Sequence, residues 1–175
     1  MEYWSDGFRI SNTPIFQHSN SPGWRSPGRL KLIMDGVQSS VERDPKIELE
    51  QTAVERQSVE GRCIVEWRIR NMAAHPLRIV SVRLPHGQFK AEEEHFEPAL
   101  LLSSGQDARI ETRVRCDEPP GFVTENAFLI FHALWFGEPW RIFVRVRVTV
   151  NADGKPETAT QLITTQQVGF SGLIE

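Results

Sequence analysis

From Lys46 onward, apolar and polar residues alternate with period two in several runs, among them "GRCIVEWRIR" (61–70), "DARIETRVRC" (107–116) and "WRIFVRVRVTV" (140–150). Only an extended strand places residues i and i+2 on one face, so the pattern commits these runs to strands with one buried and one wet side. Strands are predicted near 46–54, 61–71, 77–84, 98–102, 107–116, 127–136 and 139–150. Turn formers separate most of them: Val59-Glu60-Gly61, His75-Pro76, Pro85-His86-Gly87, Ser103-Ser104-Gly105, Pro119-Pro120-Gly121 and Gly137-Glu138-Pro139. The stretch "FKAEEEHFEP" (89–98) is the one place where a helical turn competes.

Seven short strands divided by turns are the pattern of an all-β sandwich. The segment "ALLLSSGQDARIETRVRC" (99–116), an aliphatic run, a Ser/Gly turn and an alternating strand, resembles the middle of fibronectin type III-like and related immunoglobulin-like modules. The resemblance spans about 46–150 and implies an immunoglobulin-like antiparallel β-sandwich of about seven strands. Two features depart from the antibody type: the single tyrosine, Tyr3, lies outside the domain, and the Cys…Trp…Cys order is not in its usual strands. The organisation expected is a disordered N-terminal segment at 1–45, the sandwich at 46–150 and a flexible C-terminal tail at 151–175.

The N-terminal segment contains "SNTPIFQHSNSPGWRSPGR" (11–29), an imperfect repeat rich in Ser, Asn and Pro, with too few apolar residues in sequence for a secretory signal. It resembles translated intergenic repeat DNA of bacteria. The expectation is that 1–33 is a gene-model extension with the start at Met34; the alternative is a genuine flexible tail with Phe8, Phe16 and Trp24 as docking points. A net charge of −3, from 20 basic and 23 acidic residues, carries no global field of the kind that marks a nucleic-acid binder. No apolar run approaches the roughly 20 residues that span a bilayer. A cytoplasmic, bacterial protein without nucleic-acid or membrane partners is expected.

Charge suggests how two strands pair. If 61–70 runs antiparallel to 107–116 with paired positions summing to 179, Glu66 faces Arg113 and Arg68 faces Glu111. The other side then pairs Val65 with Val114, Trp67 with Thr112 and Ile69 with Ile110. These would be the second and fifth strands, sheet neighbours in the immunoglobulin-like arrangement. The same register sets Cys63 opposite Cys116 on the inward face; without an export signal, buried free thiols are expected rather than a disulfide.

None of the five histidines, His18, His75, His86, His95 and His132, stands at a metal-ligand spacing, and "PHGQFKAEEEH" (85–95) reads as a solvated loop. The nucleophile-elbow, P-loop and dinucleotide-binding glycine patterns are all missing, so nothing motivates a catalytic role, a cofactor or a metal.

The hairpin "AFLIFHALWFGEPWRIFVRVRVTV" (127–150) is the informative stretch. A two-residue turn at Gly137-Glu138 would pair positions summing to 275 and set Leu129, Phe131, Ala133 and Trp135 against Val146, Val144, Ile142 and Trp140 as core. The opposite face would carry Phe128, Ile130, His132, Leu134 and Phe136 on one strand and Arg141, Phe143, Arg145 and Arg147 on the other. Polar residues belong on the outside of a sandwich, so an apolar stripe edged by arginines needs a reason. Three are open: an interface, cover by the 151–175 tail through Leu162, Ile163, Val168, Phe170, Leu173 and Ile174, or anion binding by the arginines. The expected function is a non-catalytic interaction module that dimerises or docks a protein partner through this face; the alternative is a binding module for an anionic polymer or carbohydrate.

Overall fold

A computed structural model describes residues 42–169 of the chain, apart from Glu60 and His86. The expectations for 1–33, for Phe8, Phe16 and Trp24, and for Phe170, Leu173 and Ile174 lie outside the described residues. Eight strands follow one another: β1 (Ile47–Arg56), β2 (Arg62–Asn71), β3 (Leu77–Leu84), β4 (Ala91–Leu102), β5 (Asp107–Arg115), β6 (Val123–Trp135), β7 (Glu138–Val150) and β8 (Pro156–Gln167). They form two antiparallel sheets, β1-β2-β5 and β4-β3-β6-β7-β8, that share one apolar core: an all-β sandwich.

The core follows from the alternation. Val65, Trp67 and Ile69 of the small sheet are fully buried, as are Leu77 and Ile79 of β3, Leu129 and Phe131 of β6, and Ile142, Val144 and Val146 of β7. Fully burying one such side chain is worth about 1.5–3 kcal/mol, so these strands hold most of the stabilising area. Among the described residues three polar side chains are buried, Ser81, Thr112 and, at the end of β2, Asn71. The Asn71 amide donates to the carbonyls of His75 (2.8 Å), Leu102 (3.0 Å) and Ser103 (3.3 Å), and its Oδ1 accepts from Ala73 N–H (3.0 Å). One buried side chain thereby ties the β2–β3 loop to the β4–β5 loop and is satisfied throughout, as burial of an amide requires.

Several expectations are corrected. The predicted loop or helical turn at 89–98 is instead an edge strand: Phe89 is buried in the core, Lys90 exchanges backbone hydrogen bonds with Arg115, and β4 begins at Ala91 rather than at 98. Residues 151–175 were expected to be a flexible tail, yet 156–167 are β8, paired with β7 from Val150↔Pro156 to Trp140↔Gln167. Gln51 secures this strand across the sandwich: its Nε2 donates to Pro156 O (2.9 Å) and its Oε1 accepts from Thr158 N–H (2.8 Å).

Both predicted registers are off by two. Strands β2 and β5 do pair, but with positions summing to 177, so Glu66 faces Glu111 and Arg68 faces Arg109. The ends fix this: Asn71 N–H bonds to Gln106 O (2.9 Å) and Cys116 N–H to Gly61 O (2.8 Å). Charges then meet sideways and diagonally, as Arg109–Glu66 (3.4 Å), Arg68–Glu50 (2.6 Å) and Arg113–Glu94 (3.9 Å). In the β6–β7 hairpin the turn residues are Phe136 and Gly137, with φ of 52° and 83°, and paired positions sum to 273. A two-residue turn with both central residues at positive φ matches the twist of its strands and takes glycine second, which Gly137-Glu138 would not supply. Because the side-chain period is two, a slip of two leaves every residue on its predicted face.

Cys63 stands opposite Val114, not opposite Cys116, and both cysteines are buried free thiols. Burial is the main cause that pushes both thiols above their ordinary range, so neither is a reactive thiolate.

Candidate functional site

The five-stranded sheet turns its inner side chains to the core and presents the residues of the predicted interaction face on its outside. Register orders them into cross-strand rows. Phe128, Arg145 and Leu162 form one; Arg83, Ile130, Phe143 and Thr164 the next. Then come His95, Ser81, His132, Arg141 and Gln166, followed by Leu101, Arg78 and Leu134. Phe136 projects at the hairpin tip, 60% exposed, with its ring 4.7 Å from that of His75 and 4.9 Å from that of Trp135.

Phe128, His132, Leu134, Phe143 and Arg145 are half-buried, whereas Arg141 and Arg147 are exposed. Ile130 is only 7% exposed, so it belongs with the buried residues although it sits on the outer side. Strand β8 extends the sheet beside β7 instead of lying over the stripe. Its Leu162, 48% exposed, joins the outer face, while Ile163 packs against the core. The described part of the C-terminal segment therefore enlarges the face rather than covering it.

Electrostatically the face is one-sided. Arg147 Nε pairs with Glu125 Oε1 at 3.0 Å, but Arg78, Arg83, Arg141 and Arg145 make no ion pair among the described residues. The Nε atoms of Arg83 and Arg145 are buried and have no hydrogen-bond partner among them either. Burying a charged donor without an acceptor costs free energy, about 1–3 kcal/mol or more per group, unless a partner supplies one. The carboxylate in the middle of the face is committed: Glu93 Oε1 accepts the Ser81 hydroxyl at 2.6 Å and lies 3.3 Å from His132 Nδ1.

That cluster has its own titration behaviour. The Ser81 hydroxyl, ahead of the nearby His132 and His95, holds the Glu93 carboxyl below its usual range. Burial, opposed by the Glu93 charge, holds His132 below its ordinary 6.5, and His132 Nε2 is buried without a partner. Ser81 and His132 thus both engage the same carboxylate oxygen, Glu93 Oε1, and are not linked in series.

Sequence reasoning found the stripe on β6 and β7 but missed Arg78, Arg83, Leu101 and Leu162. The first three belong to strands whose order in the sheet had not been assigned, and Leu162 to a segment taken as tail. The chain matches no protein-family model and no curated protein. Among solved structures it is similar to the X-ray structure of Northeast Structural Genomics Consortium target SoR45, at 9% identity over 75% of this chain and 90% of that one, with a TM-score of 0.26.

Proposed function

We propose that this chain is a non-catalytic interaction module of immunoglobulin-like type that docks a protein partner through the outer face of its five-stranded sheet. The strand order β1-β2-β5 against β4-β3-β6-β7, with β8 added, supports the fibronectin type III-like reading of the sandwich. The observation that carries the functional reading is the interleaving of Phe128, Leu134 and Phe143 with Arg78, Arg83, Arg141 and Arg145, none of which has an ion-pair partner among the described residues. Arginine and aromatic residues together are enriched at interfaces, and desolvated arginines are frequent hot spots when a carboxylate meets them.

The charge also selects the kind of partner. Two copies of this face pressed together would oppose arginine to arginine, and like-charge juxtaposition costs several kcal/mol. A different protein, apolar at the centre and acidic around it, is therefore favoured over a homodimer. The same arginines support a second reading, an anionic polymer or carbohydrate as ligand. The two separate by salt: polyanion binding falls steeply as salt rises, whereas an apolar-centred protein interface persists. Sedimentation of the chain alone, and affinity capture with the parent and with Phe143→Glu at low and high salt, test the proposal. Capture of an acidic protein that survives salt and is lost in the variant is expected; a concentration-dependent dimer lost in the variant, or capture unchanged by it, would overturn the assignment.

A further inference from the structure

At the end of the sandwich opposite the β6–β7 hairpin tip, the edges of β4 and β5 leave a groove of about 740 Å³. Arg62, Arg83, Lys90, Arg113 and Arg115 line it, together with Glu92, Glu93 and Glu94. Two of the three carboxylates are occupied: Glu93 serves Ser81 and His132, and Glu94 accepts the Arg113 backbone N–H at 3.2 Å and lies 3.9 Å from its guanidinium.

The β2–β5 ladder shows where the positive charge is left over. Three like-charge pairs stand directly opposite in it: Glu66 with Glu111, Arg68 with Arg109, and Arg62 with Arg115. Directly opposed like charges destabilise a sheet, their Cβ atoms being about 4.5–5.5 Å apart. The first two pairs are relieved, because Arg109 reaches Glu66 and Glu50 reaches Arg68. No carboxylate relieves Arg62 and Arg115 among the described residues. The strain is compounded by Lys90, whose backbone exchanges bonds of 3.1 and 2.7 Å with Arg115 and so anchors a third cation at the same corner.

We propose that the Arg62–Arg115–Lys90 corner is a binding site for a multiply charged oxyanion, of the chemistry of a small organic phosphate or polycarboxylate. Two guanidinium forks and an ammonium offer the bidentate and point-charge contacts that such oxygens take, and one bridging anion converts the Arg62–Arg115 repulsion into attraction. The groove volume lies within the roughly 300–1,000 Å³ of small-ligand sites, leaving space for an organic body beyond the charged group. The Arg62–Arg115–Lys90 corner lies outside the docking face, while Arg83 and Glu93 border both.

The test titrates the full chain with inorganic pyrophosphate and, in parallel, with citrate, each against sodium chloride at equal ionic strength, following melting temperature and binding heat. Pyrophosphate or citrate should raise the melting temperature above the chloride control, because a ligand that binds the folded chain stabilises it by mass action. Binding should weaken at least tenfold in Arg115→Gln and in Lys90→Gln and be unchanged in Phe143→Glu. Without anion, Arg62→Gln should melt no lower than the parent, since one member of the opposed pair is gone; this shows that lost binding is not lost folding. The tighter of the two probes identifies the ligand as phosphoryl or carboxylate, and either keeps the site. No shift beyond the chloride control, or equal affinity in Arg115→Gln, means ionic screening alone and overturns the proposal.

Discussion

Trp67 Nε1 donates a 2.9 Å hydrogen bond to Thr112 Oγ1 across β2 and β5, between residues that stand diagonally in the ladder rather than opposite one another. Both are buried, so the indole N–H has no access to water and depends on this one hydroxyl. Thr112→Val keeps the shape and removes the acceptor. It should cost about 1–3 kcal/mol, the penalty of a buried donor left unpaired. Urea unfolding of the variant reads this directly, and a cost within experimental error would mean that the indole finds another partner.

The same register governs the surface charges. A double-mutant cycle on Glu66 and Arg109 should show a coupling of about 0.2–1 kcal/mol, modest because Arg109 is exposed to solvent. The cycle on Glu66 and Arg113, the pair expected from charge matching, should give none, since Arg113 lies by Glu94. The reverse outcome would restore the register of 179.

Much of this was legible in the sequence, and the part that was not has a physical cause. The alternation in "GRCIVEWRIR" and "WRIFVRVRVTV" fixes faces, so Trp67, Ile142 and Val144 were identifiable as core from pattern alone. Alternation says nothing about slips of two, which leave faces unchanged, and these are decided by turn and end geometry at Phe136-Gly137 and at Asn71. Charge matching between β2 and β5 alone favours 179, whereas Arg68 and Arg113 find carboxylates on β1 and β4. Strand β8 escaped notice because "PETATQLITTQQ" carries few apolar residues, as suits an edge strand held mainly by its ladder to β7. Of the outer face, the hairpin half was legible; the arginines of β3 joined it only when the sheet order was known.

Phe136 takes a left-handed backbone conformation, with φ of 52°, that a bulky side chain adopts at a cost of about 1–3 kcal/mol, yet its ring is 60% exposed. A two-residue turn of this type prefers asparagine before glycine. Phe136→Asn should therefore stabilise the chain, by about 0.5–1 kcal/mol after loss of the contacts with His75 and Trp135. If the exposed ring is retained for docking, the stabler variant should bind partner more weakly. A lower melting temperature in Phe136→Asn would show that those aromatic contacts outweigh the backbone cost.

Acid sensitivity follows from the cluster at Ser81, Glu93 and His132. The folded-state pKa of His132 lies below its ordinary 6.5, so the unfolded chain binds the proton more readily. Stability from this group is full above about 6.5 and falls as pH drops toward the folded pKa. Glu93, also depressed, adds a second loss that begins below its ordinary 4.5 and runs down through its folded pKa. Unfolding free energy should thus decline in two steps on acidification, and His132→Gln should remove the upper one. An unaltered pH profile in that variant would mean that burial does not hold the imidazole neutral.

The outer face is the centre of this account, and hydrogen exchange of the chain with its captured partner, purified and added back, tests it most directly. New protection is predicted at 128–134 and 141–147 together with β3, and it should disappear in Phe143→Glu while the free variant melts close to the parent. Protection confined to the β1-β2-β5 sheet, or unchanged in Phe143→Glu, would contradict it.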